Sequence, residues 1–109
     1  MTFKNVTENQ TQSYTPNSNL FDLGSVFITQ GINQLLSSAY LSPVFLNPCL
    51  FRHMGGDWGC ICDDDKRCND EATKTGDRIL SEYLFSGQRI WIITEADRSM
   101  TTVMLPSEY

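Results

Sequence analysis

Four consecutive apolar residues, 90–93, constrain the fold of this chain more than any other feature. A strand that is apolar at every position is typical of a sheet interior with both faces covered. Residues 78–85 precede it as a second strand-like segment, and the turn residues at 86–88 join the two. Residues 100–105 read as a returning strand. The end of the chain is therefore predicted to form a three-stranded meander with Ile90, Trp91, Ile92 and Ile93 as its central, buried strand.

The sequence before the meander predicts one strand followed by helices. Residues 22–29 have the pattern of a strand, and residues 30–40 carry apolar side chains at helical spacing. A second helical region starts at residues 42–43 and ends near Met54, with a break or a new start at residues 47–48.

The last predicted helix opens at Asp63, Asp64 and Asp65 and ends at Gly76. The predicted fold is α+β: a small antiparallel sheet, made of the N-terminal strand and the meander, with two or three helices packed on one side.

Length and composition indicate one domain. Of the 109 residues, 1–19 form a polar segment that is predicted to be a mobile tail, and 20–109 form a single α+β domain. No stretch approaches the length of a membrane span, and the N-terminus lacks the apolar core of an export signal. A cytoplasmic protein without membrane contact is expected.

The charge balance limits the choice of partner. With 13 acidic and 8 basic residues the formal net charge is −5, which disfavours direct binding to nucleic acid. An acidic protein can instead dock onto a basic, nucleic-acid-binding protein.

The glycine-rich loop after Met54 is the first candidate site. One interpretation makes His53 a general base that is oriented by Asp57. Its place near a helix C-terminus favours the cationic form of His53 through the helix dipole. The other interpretation is a structural elbow in which Asp57 binds backbone amides and Trp58 anchors the loop in the core.

The second candidate site follows the central strand. Glu95, Asp97 and Arg98 lie in a turn, where they either bind a ligand or form a turn-stabilising ion pair. Grouped around one pocket with His53 and Asp57, they would make the chain a small enzyme or ligand-binding domain. No nucleophile is spaced to complete such a site.

Acidic residues are concentrated in the middle of the chain. Asp63, Asp64 and Asp65 suit a helix N-terminus, and the alternating ligands of a calcium loop are absent. Together with neighbouring carboxylates they predict a negative surface that could bind a partner. The wider acidic set contains Asp57, Asp70 and Glu71.

The cysteines allow one further alternative, a structural zinc module. Cys49, Cys60, Cys62 and Cys68, with His53, supply enough ligands, but one residue between Cys60 and Cys62 does not match the usual spacing. No metal or other cofactor is predicted, and reduced thiols are expected.

A set of positions in the second half resembles a family of small bacterial proteins called plasmid-related proteins, found on plasmids and integrative elements. The positions are His53, 56–59, Asp65, Asn69, Gly76, 78–81, Tyr83, 90–99, Thr101, Thr102 and 105–109. The polar tail and the cysteines other than Cys62 depart from the pattern. The family has no assigned catalytic residues, so the resemblance transfers no site.

The resemblance implies a non-enzymatic accessory protein of a mobile genetic element that binds a host, phage or plasmid protein. Inhibition of a nucleic-acid-handling defence system, such as restriction or CRISPR interference, is one form of this expectation. The candidate binding residues are His53, Asp57, Trp58, Asp63, Asp64, Asp65, Glu95, Asp97 and Arg98.

Overall fold

The computed structural model describes residues 19–109, so the tail predicted for residues 1–19 lies, apart from Asn19, outside the described residues. The helices and strands follow the predicted order. They are β1 (Ser25–Ile28), α1 (Gln30–Ser38), a 3₁₀-helix (Pro43–Leu46), α2 (Asn47–Met54), α3 (Asp63–Thr75), β2 (Ile79–Phe85), β3 (Gln88–Thr94), β4 (Met100–Met104) and a 3₁₀-turn (Pro106–Glu108).

The four strands form one sheet in the order β1-β4-β3-β2. The predicted α+β class is confirmed, and β2, β3 and β4 make the predicted antiparallel meander. The sheet is mixed rather than wholly antiparallel, because β1 pairs with β4 in parallel, with Ser25 opposite Met100. A parallel neighbour requires a long crossover. The helical segment and the meander together supply that connection.

The core lies between the sheet and the helices. Side chains alternate along β2 and β4, and the buried ones face the helical layer. At the end of β3 residues on both faces are buried, and Ile93 lies on the face opposite to Ile92. On β3, Ile90, Ile92 and Ile93 are buried as predicted, whereas Trp91 is only partly buried. The fully buried apolar side chains of the core include Ile32, Leu36, Leu46, Leu50, Ile79, Tyr83, Ile90, Ile92 and Val103.

Helix α3 ends as predicted. Gly76 takes the left-handed conformation (φ 86°), and its amide donates to the carbonyl of Ala72. The three aspartates occupy the first turn, where they complement the helix dipole. No helix among residues 19–109 is long and apolar enough to cross a membrane.

Candidate functional site

His53 lies at the centre of a buried polar network. Its side chain is completely buried at the end of α2. Nδ1 lies 2.6 Å from the Ser81 hydroxyl of β2, and Nε2 lies 2.9 Å from the Thr94 hydroxyl of β3. The imidazole therefore joins α2 to two adjacent strands.

The far end of the network determines where its protons lie. The Thr101 hydroxyl is 2.7 Å from the carbonyl oxygen of Leu23, and a carbonyl can only accept. Thr101 therefore donates to Leu23, and Thr94, at 2.7 Å, must donate to Thr101. With its proton used, the Thr94 oxygen accepts from Nε2–H of His53. In the neutral imidazole Nδ1 then accepts from Ser81, so every member of the chain is satisfied.

Burial keeps this histidine neutral. Desolvation, assisted by the positive charge of Arg98, lowers the pKa of His53 from its ordinary value of 6.5 to about 3. The cationic form suggested by the helix end does not occur near neutral pH, because the loss of solvent outweighs the dipole. The alternative in which Asp57 orients His53 is contradicted as well, since both imidazole nitrogens bind hydroxyl groups.

Asp57 stabilises the loop instead. Its carboxylate accepts a hydrogen bond from Nε of Arg52 at 2.7 Å and another from the amide of Gly59 at 3.2 Å. The hydrogen bond from Arg52 lowers the pKa of Asp57. The Tyr83 hydroxyl donates to the Asp57 carbonyl, and Arg52 lies 4.6 Å from the centre of the Tyr83 ring. These contacts match the structural interpretation of the loop.

Trp58 anchors the loop in the core, as the structural interpretation predicted. It is buried, its ring lies 6.1 Å from His53, and Nε1 donates to Asp70 at 2.8 Å. The next residue, Gly59 (φ 76°), crosses directly against β2, where a Cβ would collide with the carbonyl of Glu82. Glycine is therefore required at this crossing.

Arg98 acts as a clamp between backbone segments. It sits at positive φ (59°), and its guanidinium donates to the carbonyls of Asp77 at 2.7 Å, Ala72 at 2.9 Å and Glu95 at 3.1 Å. These bonds join the end of α3, the start of β2 and the hairpin. The guanidinium also lies 5.3 Å from the ring centre of Phe21.

The other two hairpin candidates have local roles. Asp97 accepts from the amide and hydroxyl of Ser99 at 2.9 and 2.6 Å, and the hydroxyl bond is the larger cause of the lowered pKa of Asp97. Glu95 lies 3.7 Å from Arg78 in a partly exposed ion pair. The turn-stabilising interpretation therefore fits both residues.

The five residues of the enzymatic alternative do not form one site. Phe21 lies between two of them, since its ring is 5.2 Å from the His53 ring and also contacts Arg98. Asp57 is exposed to solvent beside Arg52, while His53 is buried between α2 and the sheet. The grouping expected for a small enzyme is therefore contradicted by the geometry.

The acidic residues of α3 are exposed. Asp63, Asp64, Asp65 and Glu71 all face solvent. Arg67 pairs with Asp64 and compensates one of these charges, while Asp70 accepts a hydrogen bond from Trp58. Helix α3 is attached to the sheet through Asn69, whose amide exchanges two hydrogen bonds with the backbone of Leu80, at 2.7 and 3.3 Å.

The cysteines do not form a metal centre in the part of the chain that the structure describes. Cys49 is buried and burial raises its pKa, while Cys60, Cys62 and Cys68 are exposed thiols. Within residues 19–109, no three His, Cys, Asp or Glu side chains are grouped so that they could hold a metal ion. The zinc alternative has no geometric support there.

Sequence reasoning missed the role of Glu108. Its carboxylate accepts from Thr29 Oγ1 at 2.6 Å, from the amide of Leu105 at 2.8 Å and from the amide of Gly31 at 3.0 Å. Burial alone would raise the pKa of Glu108, but these hydrogen bonds lower it. Glu108 thus caps α1 across more than seventy residues, a contact without a local signal.

Comparison with known proteins gave no match. No family model matches the chain, and neither a curated protein nor a solved structure matches it.

Proposed function

We propose that this protein is a non-enzymatic accessory protein of a mobile genetic element that binds a host protein through the acidic face of α3. We define the acidic face as Asp63, Asp64, Asp65 and Glu71. The observation that carries the proposal is the exposure of all four carboxylates on one helix. The resemblance to plasmid-borne proteins supports the genetic context.

The bonding of the other candidate residues favours binding over catalysis. A general base must be within reach of a substrate proton and have a pKa near the working pH. His53 is buried with a pKa of about 3. Arg98 uses its donors on three backbone carbonyls. Neither group is free to act on a bound molecule, whereas the acidic face is exposed, with only Asp64 in an ion pair, with Arg67.

A basic protein is the partner that fits this face. Attraction between oppositely charged surfaces speeds association and selects against acidic competitors. Proteins that handle nucleic acid carry such basic surfaces, and a restriction or CRISPR component is the concrete form we propose. Binding at the basic surface would compete with nucleic acid and so inhibit the partner.

Affinity capture from a bacterial host lysate, with nucleic acid digested beforehand, tests the proposal. The bait is the full chain as wild type and as the triple variant Asp63→Asn, Asp64→Asn, Asp65→Asn. Asparagine retains capping ability, so the fold should survive. A matched control, Asp22→Asn, Asp77→Asn, Glu95→Gln, removes three charges outside the acidic face.

The expected result is a basic protein, identified by mass spectrometry, that is captured by the wild type and the control but not by the triple variant. Salt at about 1 M should also remove it, because screening acts over only about 3 Å there. Equal capture by all three baits, or a partner without basic character, would contradict the proposal.

A further inference from the structure

Strand β1 forms an open edge of the sheet, since β4 is its only partner among the described strands. The amide of Ser25 donates to the carbonyl of Ser99, the residue before β4, at 3.1 Å. The amide of Thr29 donates to the carbonyl of Val103 in β4, also at 3.1 Å. Successive residues of a strand direct their backbone groups to opposite sides. The N–H and C=O groups of Val26 and Ile28 therefore face away from β4, on a side where no described strand lies.

The edge of β1 lacks the usual protection against pairing with another chain. Its four residues, Ser25–Ile28, include no charge and no proline. The opposite edge, β2, is covered: the Cys60 amide donates to the Glu82 carbonyl at 2.8 Å, and the Glu82 amide donates to Trp58 at 3.3 Å. Of the two edges, only β1 is thus left open by residues 19–109.

The sequence segment that contains β1 carries no charged residue, and a carboxylate that contacts this segment, that of Glu108, is bonded to Thr29 and to the amide of Gly31. No Asp, Glu, Lys, Arg or His occurs between Asp22 and Arg52, a segment that includes β1 and α1. Two copies of a protein with a net charge of −5 repel each other. That repulsion is smallest where both surfaces are uncharged. Because Ser25–Ile28 contain no charge, pairing of β1 with a second copy of this chain brings no like charges of the strand together, and this charge pattern favours a second copy as the occupant.

We propose that two copies associate by antiparallel pairing of β1 about a two-fold axis, with Phe27 opposite Phe27 of the second copy. This register follows from the outward groups: Val26 and Ile28 form hydrogen-bonded pairs across the axis. Phe27 then occupies a non-hydrogen-bonded pair, in which side chains come closest. Its ring is 43% exposed on the face of the sheet away from the helices. The proposal is independent of the acidic face.

The contact is small, because a four-residue strand offers only a few hydrogen bonds and one aromatic pair. Small interfaces support weak, reversible association. The expected dissociation constant lies between about 1 μM and 1 mM. The dimer would form a continuous sheet across both copies, in which both β1 strands become interior strands.

Sedimentation equilibrium of the full chain over this concentration range, with a reductant to keep the exposed cysteines reduced, tests the proposal. Phe27→Lys and Phe27→Glu each place like charges opposite one another across the axis, and each should weaken association at least about tenfold. Leu84→Lys is the matched control, since Leu84 is 63% exposed on β2, at the other edge. It should associate as the wild type does.

Mixing the two Phe27 variants gives the sharpest result. The introduced lysine of one variant would then face the introduced glutamate of the other, so the mixture should recover association that neither variant shows alone. A wild type that stays monomeric at about 1 mM, as when residues 1–18 or another protein cover the edge, would overturn the proposal. So would association that Leu84→Lys abolishes and Phe27→Lys does not.

Discussion

His53 is the one histidine of the chain, and its buried, neutral state has a consequence for stability. The folded pKa of about 3 lies below the unfolded value of 6.5. Below pH 6.5 the unfolded chain takes up a proton that the folded chain does not. The stabilisation is therefore complete above pH 6.5 and declines as the pH falls toward 3.

We expect the free energy of unfolding to fall by about 2 kcal/mol between about pH 8 and pH 5, at most about 1.4 kcal/mol per pH unit. Urea unfolding at half-unit steps of pH measures it. The range ends at about pH 5 to keep carboxylate protonation out of the comparison. The variant His53→Gln serves as control, and its stability should be nearly flat over this range. An equally flat profile for the wild type would mean that the imidazole is accessible to protons.

The tautomer of His53 is a separate prediction. Because Thr101 donates to a carbonyl and Thr94 donates to Thr101, Thr94 can only accept from His53, and the imidazole proton must lie on Nε2. Ring ¹⁵N chemical shifts should report that tautomer and stay constant over the same pH range. Because the chain has a single histidine, assignment is unambiguous. A titration centred near pH 6.5, the ordinary value, or a proton on Nδ1, would contradict the network.

Helix α1 depends on a residue from the other end of the chain. Gly31 donates its amide to Glu108 at 3.0 Å, and a Cβ at Gly31 would lie 2.7 Å from the carboxylate. Replacing glycine by alanine inside a helix normally stabilises by about 0.5–1 kcal/mol. At this position the new methyl group displaces the carboxylate that caps the helix.

A double-mutant cycle separates the two effects. Gly31→Ala should gain nothing or destabilise in the wild type, but should stabilise by about 0.5–1 kcal/mol when Glu108→Ala is already present. Thermal unfolding of the four proteins gives the coupling. Additive effects of the two substitutions would show that Glu108 does not cap α1 in solution.

Strand β3 contains two kinds of position. Ile92 faces the core, whereas Trp91 lies on the opposite face of the sheet. There its Nε1 donates to Glu82 at 2.9 Å and its ring lies 5.4 Å from Tyr109. Ile92→Ala should cost about 2–5 kcal/mol. Trp91→Ala should cost about 2 kcal/mol, because the indole is only partly buried. Chemical denaturation ranks the two, and a larger loss at Trp91 would mean that its face is covered.

At the scale of the whole molecule, the features that depend on residues close together in the sequence were predictable. The meander, the capped end of α3 at Gly76 and the anchoring by Trp58 all arise from local chemistry, and sequence reasoning found them. The parallel pairing of β1 was not predicted, since the residues of a short strand do not encode the direction of its neighbour.

Hydrogen bonds between residues that are far apart in the sequence were not predicted either. His53 contacts Ser81 and Thr94 only because α2 packs on the sheet. Arg98 reaches the carbonyls of Asp77 and Ala72 only because the fold places the hairpin beside the end of α3. The residues were recognised as unusual, but their partners were not. The available signal was the small hydroxyl side chains on otherwise apolar strands, which often satisfy a buried polar group.

The measurement that tests the proposed function most directly is the association rate with the captured partner as a function of salt. Between about 0.01 M and 0.5 M salt, screening of the acidic face should slow association strongly. The variant Asp63→Asn, Asp64→Asn, Asp65→Asn should bind more slowly at low salt and show a shallower dependence, while the matched three-charge control behaves as the wild type. A wild-type rate indifferent to salt, and equal in the triple variant, would contradict the role of the acidic face.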